Sequence, residues 1–161
     1  MRKFIFAGIL AFGGFLTANA QCTAVSTIVE NFDTWKDINK CWSVQSGKAM
    51  LYANDKRIIF YSMNNPGENM YLVTPKIKAG SYTLTFDISD NGGDTTLDLF
   101  SINNAADPKS YVSIAKPSKI TGDKKVFNLS LKKDTYLGLK VLLNSVHQAV
   151  YVDNLSLKPK K

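Results

Sequence analysis

Between residues 81 and 89 apolar and polar side chains alternate. Tyr82, Leu84, Phe86 and Ile88 fall on one side, and Ser81, Thr83, Thr85 and Asp87 on the other. A period of two is the signature of a half-buried strand, because successive side chains leave opposite faces of a pleated sheet. The turn-forming run Asp90-Asn91-Gly92-Gly93-Asp94 follows, and Leu97 and Leu99 mark a returning strand over 95–102. The same reading predicts strands at 28–32, 49–52, 57–63, 70–74, 111–115, 125–131, 135–143 and 149–157. In the penultimate one Leu137, Leu139, Val141 and Leu143 share a side. In the last, Val150 and Val152 share a side, but the next apolar residues are Leu155 and Leu157. One extra residue near Asp153, a β-bulge, would produce that offset.

No window sustains an apolar period of 3.6, so helices are expected to be minor. Pro66-Gly67, Gly80-Ser81, Asp107-Pro108 and Gly122-Asp123 punctuate the strands as turns. About ten short strands in this arrangement predict an all-β fold, an antiparallel sandwich or barrel, not a parallel α/β sheet.

The first twenty residues stand apart. Arg2 and Lys3 precede an apolar run over 4–16, and Ala18-Asn19-Ala20 supplies the small-x-small pattern of a signal-peptide cleavage site. The run is short of the roughly 20 apolar residues that a permanent membrane span requires. Cys22 invites a lipoprotein reading, but Gln21 is large for the position before a lipidated cysteine. The expectation is a signal peptide at 1–20 and a single exported domain at 21–161, with no later membrane span. Of the 161 residues, 20 are Lys or Arg and 13 Asp or Glu, a net charge of +7. Loss of Arg2 and Lys3 leaves 18 basic residues against the 13 acidic ones, or +5.

Export also gives the two cysteines a meaning. An oxidising compartment favours joining Cys22 to Cys41, and closing a loop of that length stabilises by roughly 3 kcal/mol in the chain-entropy model. The alternative is a pair of buried thiols.

Two motifs near the start of the expected mature chain, Glu30-Asn31-Phe32-Asp33 with Trp35 and then Cys41-Trp42, have counterparts further on. These are Tyr71-Leu72-Val73-Thr74-Pro75, the strand at 82–87, and Tyr151-Val152-Asp153-Asn154-Leu155-Ser156-Leu157. In this order they resemble the jelly-roll domains of secreted bacterial proteins known as choice-of-anchor J, MAM-like or cleaved-adhesin domains. They are also similar to carbohydrate-binding modules of the galactose-binding-like sandwich. The resemblance covers about 28–157 and implies an antiparallel β-sandwich with jelly-roll topology whose first and last strands are adjacent. It implies binding or adhesion, not catalysis. It further implies a structural calcium ion where the terminal strands meet, with Glu30 or Asp33 and Asp153 as ligands; the alternative is that Asp153 and Asn154 serve a bulge and face water. Such domains often precede a sorting domain. This chain ends at Lys161, so a free-standing module is expected.

Catalytic chemistry finds little support. One His and two Cys rule out a zinc or iron–sulfur site built from the usual ligands. There is no G-x-S-x-G elbow and no phosphate-binding glycine loop. His147 lies in Asn144-Ser145-Val146-His147, a turn, and reads as a solvated histidine. Asp87, Ser89, Asn91, Gly92 and Asp98 match EF-hand spacing, but strands flank them where helices should, and a β-turn accounts for them better.

Binding is the more natural use of the aromatic residues, since their faces stack on the C–H faces of sugar rings while amides and charges bond the hydroxyls. Trp42, next to Cys41, is expected in the core. Trp35, in a polar stretch, is expected at the surface. Tyr52, Arg57, Tyr61 and Asn64 mix aromatics, an amide and a guanidinium, and are the candidate ligand-binding residues with Trp35. Lys116, Lys119, Lys124, Lys125, Lys132, Lys133, Lys158, Lys160 and Lys161 are expected to serve solubility and edge protection; the alternative is an anionic polysaccharide, lipopolysaccharide or a host surface as partner. Nucleic acid is not expected, for lack of an arginine-rich stripe or stacking platform. The expected protein is a secreted, non-catalytic carbohydrate-binding or adhesin-like module, with a glycan or cell-surface polysaccharide as partner. The alternative is a structural or protein-interaction component of an extracellular complex.

Overall fold

The computed structural model describes residues 22–35, 38–92, 95–120 and 124–160. The expected signal peptide lies outside the described residues, as do Gly93, Asp94, Gly122 and Asp123 of the predicted turns.

Twelve strands occur among the described residues: β1 (Ile28–Glu30), β2 (Ser43–Gln45), β3 (Met50–Asn54), β4 (Arg57–Tyr61), β5 (Asn69–Val73), β6 (Gly80–Asp90), β7 (Thr96–Ile102), β8 (Tyr111–Ser113), β9 (Ser118–Lys119), β10 (Lys124–Leu131), β11 (Tyr136–Leu142) and β12 (Ala149–Pro159). They form two antiparallel sheets. One runs β10-β6-β12-β4-β3, with β1 also paired to β12; the other runs β2-β5-β11-β7-β8, with β9 also paired to β7. From β4 to β7 and from β10 to β12 the chain crosses from sheet to sheet at every step. Sequence neighbours therefore face each other across the core and sheet neighbours are distant in sequence. This interleaving is the jelly roll. The first and last strands are adjacent, with Ile28 opposite Leu157.

The alternation read from the sequence sets the core. Leu84, Phe86 and Ile88 of β6, Ile58 and Phe60 of β4, and Val150 and Val152 of β12 point inward from the first sheet and are buried. Leu72, Leu97, Leu99, Leu137, Leu139 and Val141 meet them from the second. The bulge expected near Asp153 is present: Asp153 pairs with Asp87, but the next pair is Ser156 with Thr85. Asn154 absorbs the extra residue at φ 48°, in the left-handed region that asparagine tolerates better than most residues.

Cys22 and Cys41 form a disulfide, with Cα atoms 5.8 Å apart. The segment it closes folds back onto the sandwich through three aromatic rings. Phe32 is fully buried, and Trp35 and Trp42 meet it edge-on with centroids 4.8 and 6.0 Å away. Trp42 is buried, as expected. Trp35 is not the exposed residue that its polar neighbours suggested: it packs against the core, 5.4 Å from Trp42. The other differences are small elements. β2 and β9 are too short for any period to show, and a 3₁₀ turn at Pro108–Ser110 is capped by the Asp107 side chain accepting from the Lys109 amide.

Candidate functional site

The outer face of the first sheet collects what the inward alternation leaves over. On β4, Ile58 and Phe60 go inward, so Arg57, Ile59 and Tyr61 go outward; on β12, Val150 and Val152 send Tyr151 and Asp153 outward. Register then aligns these residues across the strands. Tyr52 of β3 pairs with Ile59, Ile59 with Tyr151, and Tyr151 with Ser89 of β6. One step along, Asn54 pairs with Arg57, while Asp153 pairs with Asp87 and Asp87 with Lys124 of β10. On the other side, Tyr61 pairs with Met50 and Ala149.

Two adjoining hollows lie on this face. The larger, about 370 Å³, is lined by Tyr52, Asn54, Asp55, Arg57, Tyr61 and His147, among others; the smaller, about 270 Å³, by Asp87, Ser89 and Asp153. Arg57 and Tyr151 line both and form the saddle between them. The Arg57 guanidinium lies over the Tyr151 ring, 4.2 Å from its centroid, a cation–π contact that holds a long flexible side chain in place. Its Nε is buried and makes no hydrogen bond. At the far end of the larger hollow Tyr61 Oη and His147 Nδ1 are 2.8 Å apart. His147 sits at φ 54° in an exposed turn, and its backbone N–H donates to the Met63 carbonyl, tying the turn before β12 to the one after β4. In the smaller hollow the bulge organises the acids. Asn154 Nδ2 donates to Asp87 Oδ2 at 2.8 Å, and the Asn154 amide donates to Asp153 Oδ1 at 2.6 Å.

Three of the five residues singled out from the sequence, Tyr52, Arg57 and Tyr61, meet in the larger hollow. Asn64 is exposed in the turn after β4 and lines neither hollow; Trp35 is half-buried and packs against the core. Sequence reasoning missed Tyr151, Asp87 and His147 as parts of this face. The signal for Tyr151 was there, since it alternates with two inward valines. That β12 would lie beside β4 was not readable.

The carboxylates considered for calcium are occupied locally. Glu30 Oε1 accepts from the Phe32 amide at 3.4 Å, and Asp33 Oδ2 from Asn31 Nδ2 at 2.7 Å. Among the described residues no group of three or more His, Cys, Asp or Glu side chains is placed to hold a metal ion. The set does not make a cage by itself.

The outer face of the second sheet is also aromatic, with Gln45 and Tyr111 tied to one another. Tyr71 meets Phe100 and Tyr111 edge-on, with centroids 5.8 and 5.3 Å away. Gln45 Nε2 donates to Tyr111 Oη and to the Ala105 carbonyl, which also accepts from Tyr111 Oη at 2.7 Å. Burial pushes both hydroxyls above the usual tyrosine pKa, helped at Tyr71 by the nearby Asp98 charge; at Tyr111 the Gln45 hydrogen bond opposes the rise. This is a packed cluster. The first sheet carries the open polar and aromatic face.

No known protein family matches the chain, and no curated protein matches it. Solved structures do. The K1 cleaved adhesin domain of Lys-gingipain from Porphyromonas gingivalis is similar with a TM-score of 0.66 at 14% identity, over 85% of this chain and 100% of that one. The K3 cleaved adhesin domain of the same protein gives 0.65 at 14%, over 81% and 98%. A family 29 carbohydrate-binding module complexed with cellulohexaose gives 0.54 at 12%, over 82% and 91%. At these identities the likeness is one of fold: the chain is a β-sandwich of the kind found in cleaved adhesin domains and carbohydrate-binding modules. Among the described residues no helix is long and apolar enough to cross a membrane.

Proposed function

We propose that the protein is a secreted, non-catalytic module that binds glycan chains on the outer face of its first sheet. The observation that carries this reading is the convergence of Tyr52, Tyr61, Tyr151 and Arg57 from three adjacent strands onto one open hollow. The half-exposed rings of Tyr52 and Tyr61 offer faces to the apolar side of a sugar, Tyr151 holds Arg57 in place, and Asn54, Asp55 and the guanidinium offer acceptors and donors to the hydroxyls. The disulfide supports export, since such bonds persist in oxidising compartments. The shared fold of a carbohydrate-binding module solved with cellulohexaose supports the ligand class.

Affinity electrophoresis of the folded protein through gels containing soluble polysaccharides tests the reading. Retardation by at least one polymer is expected, weakened about fivefold by Tyr52→Ala, since one lost stacking contact costs roughly 1 kcal/mol, and similarly by Tyr151→Ala, which releases Arg57. Absence of retardation across a broad panel would refute it.

A structural calcium at the junction of β1 and β12 is a second part of the proposal. Glu30 stands opposite Leu155, two residues from Asp153, and backbone carbonyls of the bulge would have to supply most of the remaining oxygens. Calcium should then raise the melting temperature and a chelator lower it, with the shift lost in Asp153→Ala.

A further inference from the structure

We infer that this face selects uncharged glycan chains and rejects anionic ones, against the sign of the protein's own net charge. The inference rests on the glycan-binding reading above. The overall charge of +7 suggests an affinity for anionic polymers, but charge selects a ligand only where it meets the ligand. The two hollows are lined by three carboxylates, Asp55, Asp87 and Asp153, against one cation, Arg57. Lys124, opposite Asp87 at the edge of the sheet, still leaves the acids in the majority. Lys132 and Lys133 line a different hollow, with Ser101 and Thr135.

The arrangement of the acids is more telling than their number. Asp87 and Asp153 are direct register partners on adjacent strands and point out of the same face. Like charges in that position destabilise a sheet, so the pair is a cost that the fold itself does not require. Asn154 eases it by donating its side-chain amide to Asp87 and its backbone amide to Asp153. One oxygen of each carboxylate, Asp87 Oδ1 and Asp153 Oδ2, keeps no hydrogen-bond partner among the described residues. Arg57 rests on Tyr151 with its Nε unbonded. The smaller hollow thus offers two free acceptors beside the guanidinium that lies on Tyr151. Neighbouring hydroxyls of a neutral sugar satisfy this set, because each hydroxyl donates a proton and also accepts one. The carboxylate of a uronate or a sulfate group has acceptors only, and it would face two carboxylates for one guanidinium. Rejection by unpaired like charge is an established route to specificity.

The test uses the full chain in the presence of a calcium chelator, so that Asp153 carries no metal, and polymer pairs that share a backbone and differ in charge: hydroxyethyl against carboxymethyl cellulose, and methyl-esterified against free polygalacturonate, at physiological salt. Only the retardation lost in Tyr151→Ala is scored, which removes binding by lysines elsewhere. In at least one pair the neutral polymer is expected to bind tenfold or more tighter than its anionic counterpart. Asp87→Asn with Asp153→Asn should narrow that gap to within about threefold; both changes keep an acceptor oxygen for Asn154, and an unchanged melting temperature confirms the fold. Equal or tighter Tyr151-dependent binding of the anionic polymers overturns the inference while leaving the glycan reading intact, as does a gap that the double substitution leaves unchanged. If no polymer of either charge shows Tyr151-dependent retardation, the glycan reading fails and the selectivity with it.

Discussion

Gly138 gives the sharpest test of how tightly the sandwich is packed. It lies in β11 between Val73 of β5 and Phe100 of β7. A Cβ added there would stand 2.6 Å from Ile102 Cδ1, but 3.6 Å from Ile102 Cγ1 and 3.7 Å from Phe100 Cβ. Carbon atoms in good contact are about 3.5–4.0 Å apart, so the Ile102 methyl would have to retreat by roughly 1 Å. Ile102 is completely buried, so its methyl has to move within packed protein. Overpacking of this kind costs about 1–3 kcal/mol, offset by about 0.5–1 kcal/mol because alanine loses less backbone entropy than glycine in a strand. Gly138→Ala should therefore destabilise by about 0–2.5 kcal/mol. Ile102→Val alone should cost about 0.5–1.5 kcal/mol for the lost methyl. In the double variant the offending carbon is gone and the two remaining distances are ordinary contacts. It should be at least as stable as Ile102→Val alone, a favourable coupling of about 1 kcal/mol or more. Urea titration followed by the fluorescence of Trp35 and Trp42 measures all four corners, with equal m-values as the check on two-state behaviour. Additivity within about 0.5 kcal/mol, or a stabilising Gly138→Ala, would show that the strand can shift and that the packing argument fails.

Replacing both Cys22 and Cys41 by Ser should cost roughly 3 kcal/mol, from the loop entropy released in the unfolded chain. Calorimetry should show a melting temperature lower by about 10 °C, and an unchanged one would mean that the segment carrying Phe32 and Trp35 is held by packing alone. Alkaline stability follows from the second sheet. Tyr71 and Tyr111 have pKa values raised above 10.0 in the folded state, burial being the main cause. The unfolded chain loses these protons first, so their contribution is intact below about pH 10 and is lost as pH rises through the folded values. Tyr71→Phe should flatten the fall in stability above pH 10 in urea titrations; an unaltered slope would exclude Tyr71 as a source of it.

The split between what was readable and what was not follows the range of the interactions. The alternation over 81–89 marked β6 because side-chain direction along a strand depends only on the residue's own backbone. The break between Val152 and Leu155 located the bulge for the same reason. The flanking turn placed His147 in solvent, and the expectation of export paired the cysteines. Trp35 was misjudged because burial is set by what packs against a residue, and the polar residues beside it in sequence do not report that Phe32 and Trp42 stand there in space. The candidate face shows the same limit. Tyr52, Arg57 and Tyr61 sit on one hairpin, β3 and β4, so their neighbourhood was visible in a short stretch of chain.

The sequence by itself thus determined the longer strands, the face their residues take, the bulge and the cysteine pairing, all consequences of local geometry or of composition. Only the tertiary structure decided that β12 lies between β4 and β6. That placement lays Arg57 on Tyr151 and sets Asp153 against Asp87, joining residues far apart in the chain. Such partners are chosen by hydrogen-bond register between distant strands. A period of two says which way a side chain points, and nothing about which strand lies alongside.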